Sequence, residues 1–242
     1  MIYRTKSPHI GCCFSIVDIL VALYFKILKP GDHFILSKGH GVTALYPILK
    51  EKGIISQEIL DGFNKDGGTL EQHPNRDIQK GIEITSGSLG HGLSVGVGIA
   101  LAGKYDNKDY RTFVLLGDGE LEEGSSWEAI LFAGHHKLDN LIAIVDYNKL
   151  QAMGRVSEIM DLEPLTEKFS SFNWEAKEVN GHDIKEIISA LENIPFKAGK
   201  PSCLIAHTIK GKGVSFMEND PRWHDKCPDD EEYKKALSEL KN

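Results

Sequence analysis

The apolar and polar positions of this chain sort into two kinds of stretch: short unbroken apolar runs, and longer mixed segments with helical spacing. Residues 112–150 show both. Thr112-Phe-Val-Leu-Leu-Gly-Asp-Gly-Glu120 and Leu141-Ile-Ala-Ile-Val-Asp-Tyr-Asn148-Lys-Leu150 are apolar, β-branched runs on either side of a helix-length segment. Runs of this kind belong to strands buried on both faces, so the unit predicts strand, helix and strand of a parallel sheet. Residues 32–37, 174–179 and 202–208 predict further strands. Residues 55–70 read as a helix followed by a Gly-rich loop; helices are also expected over 183–193 and 229–241, and in a Gly- and Ala-rich segment ending at Gly103. The expected fold is α/β, a mainly parallel sheet with helices on both faces.

Local chemistry adds detail. Ser15 is placed to cap a helix running to about Leu28, apolar on nearly every side and therefore buried or in a subunit contact. Ser125 and Glu128 have capping-box spacing, and His135 and His136 fall where a cation meets the negative end of that helix. Glycine costs helix stability, so its density before Gly103 predicts close approach to a cofactor or a neighbouring helix. Met1–Lys6 resembles the end of a helix whose start is absent.

The 242 residues make one large domain, or a domain with a small appendage. The net charge of −7 comes from interspersed acids and bases, with no Lys/Arg cluster to track a nucleic acid. Cys12, Cys13, Cys203 and Cys227 lack CxxC spacing, which predicts reduced thiols in a cytoplasmic protein. The most apolar stretch, 16–28, carries Asp18 and Lys26 and is too short to span a bilayer; no cleavable leader is evident. Neither nucleic acid nor membrane is an expected partner.

The chemistry sits at the strand ends. Asp118 and Asn148 stand 30 positions apart, each where an apolar run finishes, and a right-handed crossover brings two such ends to one rim. A carboxylate, an amide oxygen and a nearby backbone carbonyl are hard donors suited to Mg²⁺ that shares its other positions with phosphate and water. Gly117 and Gly119 let a bulky anion approach the backbone.

Gly-Asp-Gly followed after about thirty residues by Asn resembles the diphosphate-and-metal signature of thiamine diphosphate enzymes. The filling, Glu120-Leu-Glu-Glu-Gly-Ser-Ser-Trp-Glu-Ala129 to Asp146-Tyr-Asn-Lys-Leu-Gln151, resembles the transketolase family, and further motifs recur in family order along almost the whole chain. The resemblance implies the family's diphosphate-binding (PP) domain over residues 1–242. It implies that Asp118, Asn148 and the Leu150 carbonyl hold Mg²⁺, with Ca²⁺ or Mn²⁺ as substitutes, and that Gly119 lies against the diphosphate. Ser7-Pro-His9-Ile-Gly11 resembles a loop whose histidine contacts substrate, with Pro8 in place of a glycine. Leu36-Ser-Lys-Gly-His40-Gly41 matches a loop whose histidine touches the diphosphate and substrate region; Lys38 is either a further positive charge there or a solvated surface lysine. His73 of His73-Pro74 faces the substrate channel by the same resemblance. Gly87, Ser88 and Leu89 follow the bridge between the cofactor's two rings, Lys210 approaches the cofactor, and His224 of Trp223-His224 reaches diphosphate and donor substrate with a proton-handling or oxyanion role. Glu123 and Glu128 match acids near the family's subunit interface, where capping competes with a relay role for Glu128. Cys12, Cys13 and His91 depart from the family pattern.

The family activates its cofactor with a glutamic acid on a second, pyrimidine-binding domain, and nothing after His224 is long enough to be one. The implied protein is the N-terminal subunit of a split transketolase. It would transfer a two-carbon ketol unit from a ketose or its phosphate to an aldose, active only with a C-terminal partner subunit, as an α2β2 heterotetramer. Two alternatives are a subunit of a decarboxylating synthase of the deoxyxylulose-phosphate type and a non-catalytic orphan subunit.

Overall fold

In the computed structural model, which describes residues 1–241, the apolar runs form strands β1 (His33–Leu36), β2 (Thr112–Gly117), β3 (Leu141–Tyr147), β4 (Glu175–Asn180) and β5 (Ser202–His207). They pair in the order β1-β2-β3-β5-β4, and every pair is parallel. All residues of β2 and β3 are buried, which is why their sequences are apolar without alternation. The two-residue period still sorts their side chains. Phe113, Leu115, Ile142 and Ile144 join Leu23, Leu45 and Ile187 in one core; Val114, Leu116, Ala143 and Val145 join Leu93, Val97, Ile130 and Trp174 in the other. Helices Val17–Ala22, Val42–Glu51 and Ile184–Glu192 thus cover one face, and Gly92–Tyr105 and Gly124–His135 the other. Among the described residues no helix is long and apolar enough to cross a membrane.

Two glycines of Gly92–Tyr105 face the sheet and the residue that follows β1. A Cβ on Gly92 would lie 2.2 Å from Ser37 Oγ, and one on Gly96 2.5 Å from Val114 Cγ2. Gly134, in the crossover helix between β2 and β3, meets backbone: a Cβ there would sit 1.8 Å from the Phe172 carbonyl oxygen. Backbone cannot rotate aside as a side chain can. Gly134→Ala is therefore expected to cost about 1–3 kcal/mol through overpacking, read as a lower urea midpoint at unchanged m-value.

Several local expectations are corrected. Ser15 does not cap a long helix: residues 10–27 break into Ile10–Phe14, Val17–Ala22 and a π-helical turn, Leu23–Ile27. The Ser15 hydroxyl donates instead to the buried Asp146 carboxylate at 2.7 Å, with the Cys12 carbonyl 2.9 Å away as the alternative acceptor. The Ser125/Glu128 capping box does not form, because the helix begins at Gly124 with Glu123 at its N-cap; the Ser125 hydroxyl donates to the Gly90 carbonyl at 2.9 Å. The helix expected in 55–70 covers only Gln57–Asp61. Val42–Glu51, which the pattern does not predict, contains Pro47. Proline removes one helical hydrogen bond, and the burial of Leu45, Tyr46 and Leu49 offsets the loss. The C-terminal helix, Asp230–Glu239, is mostly exposed and starts on a true capping box, Asp229 with Glu232.

Candidate active site

Gly117 pairs with Asp146 across β2 and β3, so the segments leaving the two strands deliver Asp118 and Asn148 to one rim. Of the residues expected from sequence, His40, Leu89, Asp118, Gly119, Asn148, Leu150, Lys210 and His224 line a single cavity of about 190 Å³.

Its floor is a set of oxygen donors. Asp118 is 3% exposed. Its Oδ1 accepts from the Gly119 N–H at 2.8 Å and its Oδ2 from the Lys149 N–H at 2.5 Å. Burial, with the neighbouring Asp146 charge as the second cause, pushes its carboxyl up to about 7. The Asn148 amide has one chemically allowed orientation. Its Nδ2 donates to Asp146 and its Oδ1 accepts from the Leu150 N–H, both at 3.0 Å; a carboxylate cannot donate and an N–H cannot accept. A buried acid raised by desolvation, beside an amide whose oxygen is fixed, fits a divalent oxygen-seeking cation. Leu150 lines the same cavity, and its carbonyl accepts from Lys210 Nζ at 3.3 Å.

Beneath this floor lies a residue that the sequence pattern did not single out. Asp146, fully buried, accepts from Lys38, Ser15, Thr208 and Asn148. Lys38 is no surface lysine: it is 1% exposed and ion-paired with Asp146. Burial pulls the Lys38 ammonium down, but the Asp146 charge outweighs it and leaves the group above its ordinary value. Burial likewise pushes Asp146 up, yet Lys38 and the hydroxyl donors hold it below the usual carboxylate range. The available signal was one acid inside the apolar run of β3. Glu120, also buried, accepts from the Ser37 hydroxyl, the Gly90 N–H at 2.9 Å and the Gly117 N–H at 3.2 Å, which ties three loops of the rim together.

The mouth is made of imidazoles. The His9 ring centroid lies 5.5 Å from His40, 5.4 Å from His73 and 5.1 Å from His224. His9 holds a left-handed backbone at φ 74°, and its N–H donates to the His224 carbonyl at 2.7 Å. A strained non-glycine residue persists only when its surroundings fix it. Burial lowers His9 and His73; burial and then the Lys210 charge lower His224 to about 4. These three rings are neutral near pH 7. Gly87, at φ 153°, backs the His73 ring, whose Cδ2 would lie 3.1 Å from a Cβ there. Ser88 is exposed and lies outside the cavity lining. Cys12 lines the cavity, whereas Cys13 faces a separate apolar groove with Phe14 and Ile48.

A family profile described as "Transketolase, thiamine diphosphate binding domain" matches residues 1–240. The chain is 45% identical to one of the subunits of the apulose-4-phosphate transketolase of Phocaeicola vulgatus, over 99% of its own length and 88% of that relative. It is 44% identical to the 6-deoxy-6-sulfo-D-fructose transketolase subunit SqwG of Clostridium sp. over 96% of its length and 88% of that one. The solved transketolase from Campylobacter jejuni superposes with a TM-score of 0.91 at 32% identity, covering 99% of this chain and 40% of that one. The chain belongs to the transketolase family and carries its thiamine diphosphate binding domain.

Proposed function

We propose that this chain is the diphosphate-binding subunit of a split transketolase, which with a C-terminal partner subunit moves a two-carbon ketol unit from a ketose or ketose phosphate to an aldose. The observation that carries this reading is the convergence of His9, His40, His73 and His224 over the cavity that holds Asp118 and Asn148. Asp118 and Asn148 would hold Mg²⁺ together with the Leu150 carbonyl, with Ca²⁺ or Mn²⁺ able to substitute. His40 and the Gly119 backbone would face the diphosphate, and Lys210 would exchange one of its present partners for it; Gly87, Ser88 and Leu89 would follow the bridge between the rings. When bound, thiamine diphosphate supplies the nucleophile and electron sink that C–C cleavage needs.

The chain's own contribution is polar and nearly uncharged at the mouth. His9, His73 and His224 would donate to the carbonyl and hydroxyl oxygens of the ketose and stabilise the alkoxide that develops there. Lys38 is committed to Asp146, and Lys210 to two backbone carbonyls and His224. Neutral donors suit the hydroxyls of a sugar. A decarboxylating synthase has a carboxylate-bearing donor to hold, for which a free cation at the mouth would be the natural partner, so ketol transfer is the better fit. The retained metal donors count against a non-catalytic subunit.

The relatives named above act on sugars bearing a 4-phosphate or a 6-sulfo group. Such sugars share a ketol end and differ at the anionic end, so we assign the anionic end to the partner. The same partner would carry the activating glutamic acid and complete an α2β2 assembly around residues 1–242 as one domain. Four unpaired thiols fit a reducing, cytoplasmic setting. Mixing is the test. The purified chain should give negligible ketol transfer with thiamine diphosphate and Mg²⁺, and turnover should appear once the C-terminal subunit is added. Full turnover by the chain alone refutes the split site; pyruvate consumption with carbon dioxide release would favour the synthase.

A further inference from the structure

We propose that Cys12 and Cys13 form a dithiol site for trivalent arsenicals in the wall of the diphosphate cavity. The two residues are neighbours in helix Ile10–Phe14, where adjacent side chains ordinarily diverge. Here the two thiols lie within hydrogen-bonding reach of each other. Both also approach the His40 carbonyl oxygen, 4.0 Å from Cys12 Sγ and 3.8 Å from Cys13 Sγ. Cys12 Sγ lies 3.1 Å from the His9 carbonyl oxygen as well. The other two cysteines are isolated: Cys203 is fully buried within β5, and Cys227 sits against the carbonyls of Ile2 and Pro228. The adjacent pair is therefore the place where two sulfurs can meet one soft centre.

The pair stands between two cavities. Cys12 lines the one that holds Asp118 and Asn148, and Cys13 lines an apolar groove of about 310 Å³ with Ile10, Phe14, Val17, Pro47 and Ile48. An arylarsenical matches both features, with a soft centre for two thiolates and an apolar ring for the groove. Burial works against ionising Cys12, but the Cys13 hydrogen bond and the neighbouring His40 and Lys38 outweigh it and lower that thiol. The same hydrogen bond, together with burial, raises Cys13. Cys12 is thus the first nucleophile, and Cys13 closes the chelate. With phenylarsine oxide, two As–S bonds form, the arsenic–oxygen bonds break, and the oxygen leaves as water with the two thiol protons. Arsenic stays trivalent, so no oxidant or reductant is needed. An arsenic on Cys12 would also occupy space beside the diphosphate. That consequence rests on the proposed cofactor site; the chelate itself does not.

The test treats the full, reduced chain with phenylarsine oxide in excess glutathione and weighs the retained adduct by intact-mass spectrometry. An arsenic held by one sulfur is stripped by the monothiol. One held by two sulfurs is retained, because the second bond closes within the molecule. A single phenylarsenic group per chain is expected, mapped to the peptide that carries Cys12 and Cys13 and released by ethanedithiol. Cys12→Ser and Cys13→Ser should each lower retention by at least about 100-fold, whereas Cys203→Ser and Cys227→Ser should keep it. No retained adduct, an adduct on another peptide, or undiminished retention in Cys13→Ser overturns the site. Should a variant fail to fold, the peptide map of the wild-type adduct decides. Adding thiamine diphosphate, Mg²⁺ and the partner subunit should slow the reaction. A retained adduct that forms at an unchanged rate supports the dithiol site and counts against a cofactor beside Cys12, so the two failures are distinguishable.

Discussion

Lys38→Met is expected to destabilise the protein by about 3–5 kcal/mol, the range for breaking a buried ion pair from one side. For a chain of this size that lowers Tm by roughly 6–20 °C. The cause is what the substitution leaves behind. Asp146 is fully buried, and Ser15, Thr208 and Asn148 remain as its neutral donors. Hydrogen bonds from neutral groups do not replace a buried cation. The pH dependence follows from the sign of the shift. The Asp146 carboxyl sits below its ordinary value in the native protein, so its contribution is present above the unfolded value and is lost as pH falls through the folded one. Without Lys38 the carboxyl is forced upward, and the deficit is largest near neutral pH and shrinks toward pH 4. Urea unfolding of both proteins at pH 7.5 and pH 4.5 checks this. Lys38→Met/Asp146→Asn should recover part of the loss, since it removes the stranded charge. A single-variant deficit below about 1 kcal/mol would mean that the pair is solvated.

The strands and the rim of the site were legible because both obey short-range rules. A parallel strand buried on both faces must be an apolar run, and β2, β3 and β5 are such runs. Strand ends in such a sheet must converge, which is how Asp118 and Asn148 could be paired across 30 positions. What failed depended on contacts remote in sequence. Ser15 has every local mark of an N-cap, but a carboxylate 131 positions away takes its hydroxyl. Lys38 is open, from its neighbours alone, between a positive charge of the site and a solvated lysine, and a partner 108 positions on decides it. The Gly-rich segment told that something comes close, and the fold shows that at Gly96 it is Val114 of the sheet. His9, His40, His73 and His224 could each be singled out by resemblance, but their shared mouth is a product of four separate loops.

The largest effect on ligand binding is expected from Asp118, and it carries an opposite effect on stability. Its carboxyl rises from an ordinary value of 3.8 to about 7, with burial as the main cause. For an acid this means that the unfolded chain releases its proton first. Stability therefore falls as pH rises through the window from about 4 to 7, and above it the full penalty of roughly 4 kcal/mol applies. Asp118→Ala removes that penalty. It also strands the Gly119 and Lys149 N–H groups, at about 1 kcal/mol each. The metal-free variant should thus be more stable than wild type by roughly 2 kcal/mol at pH 8 and less stable at pH 4, so that the two stability curves cross. Mg²⁺ should reverse the order at pH 8, because a divalent cation relieves the wild-type carboxylate and finds no carboxylate in the variant. In complex with the partner, calorimetric titration should show Mg²⁺-dependent thiamine diphosphate affinity reduced by at least about 100-fold, beyond what loss of an outer-shell partner alone costs. Parallel stability curves without a crossing, or an undiminished Mg²⁺ response in Asp118→Ala, would place the cation elsewhere. On the proposed reading, Asp118 destabilises the metal-free fold because it is buried for a charge that would arrive with the ligand.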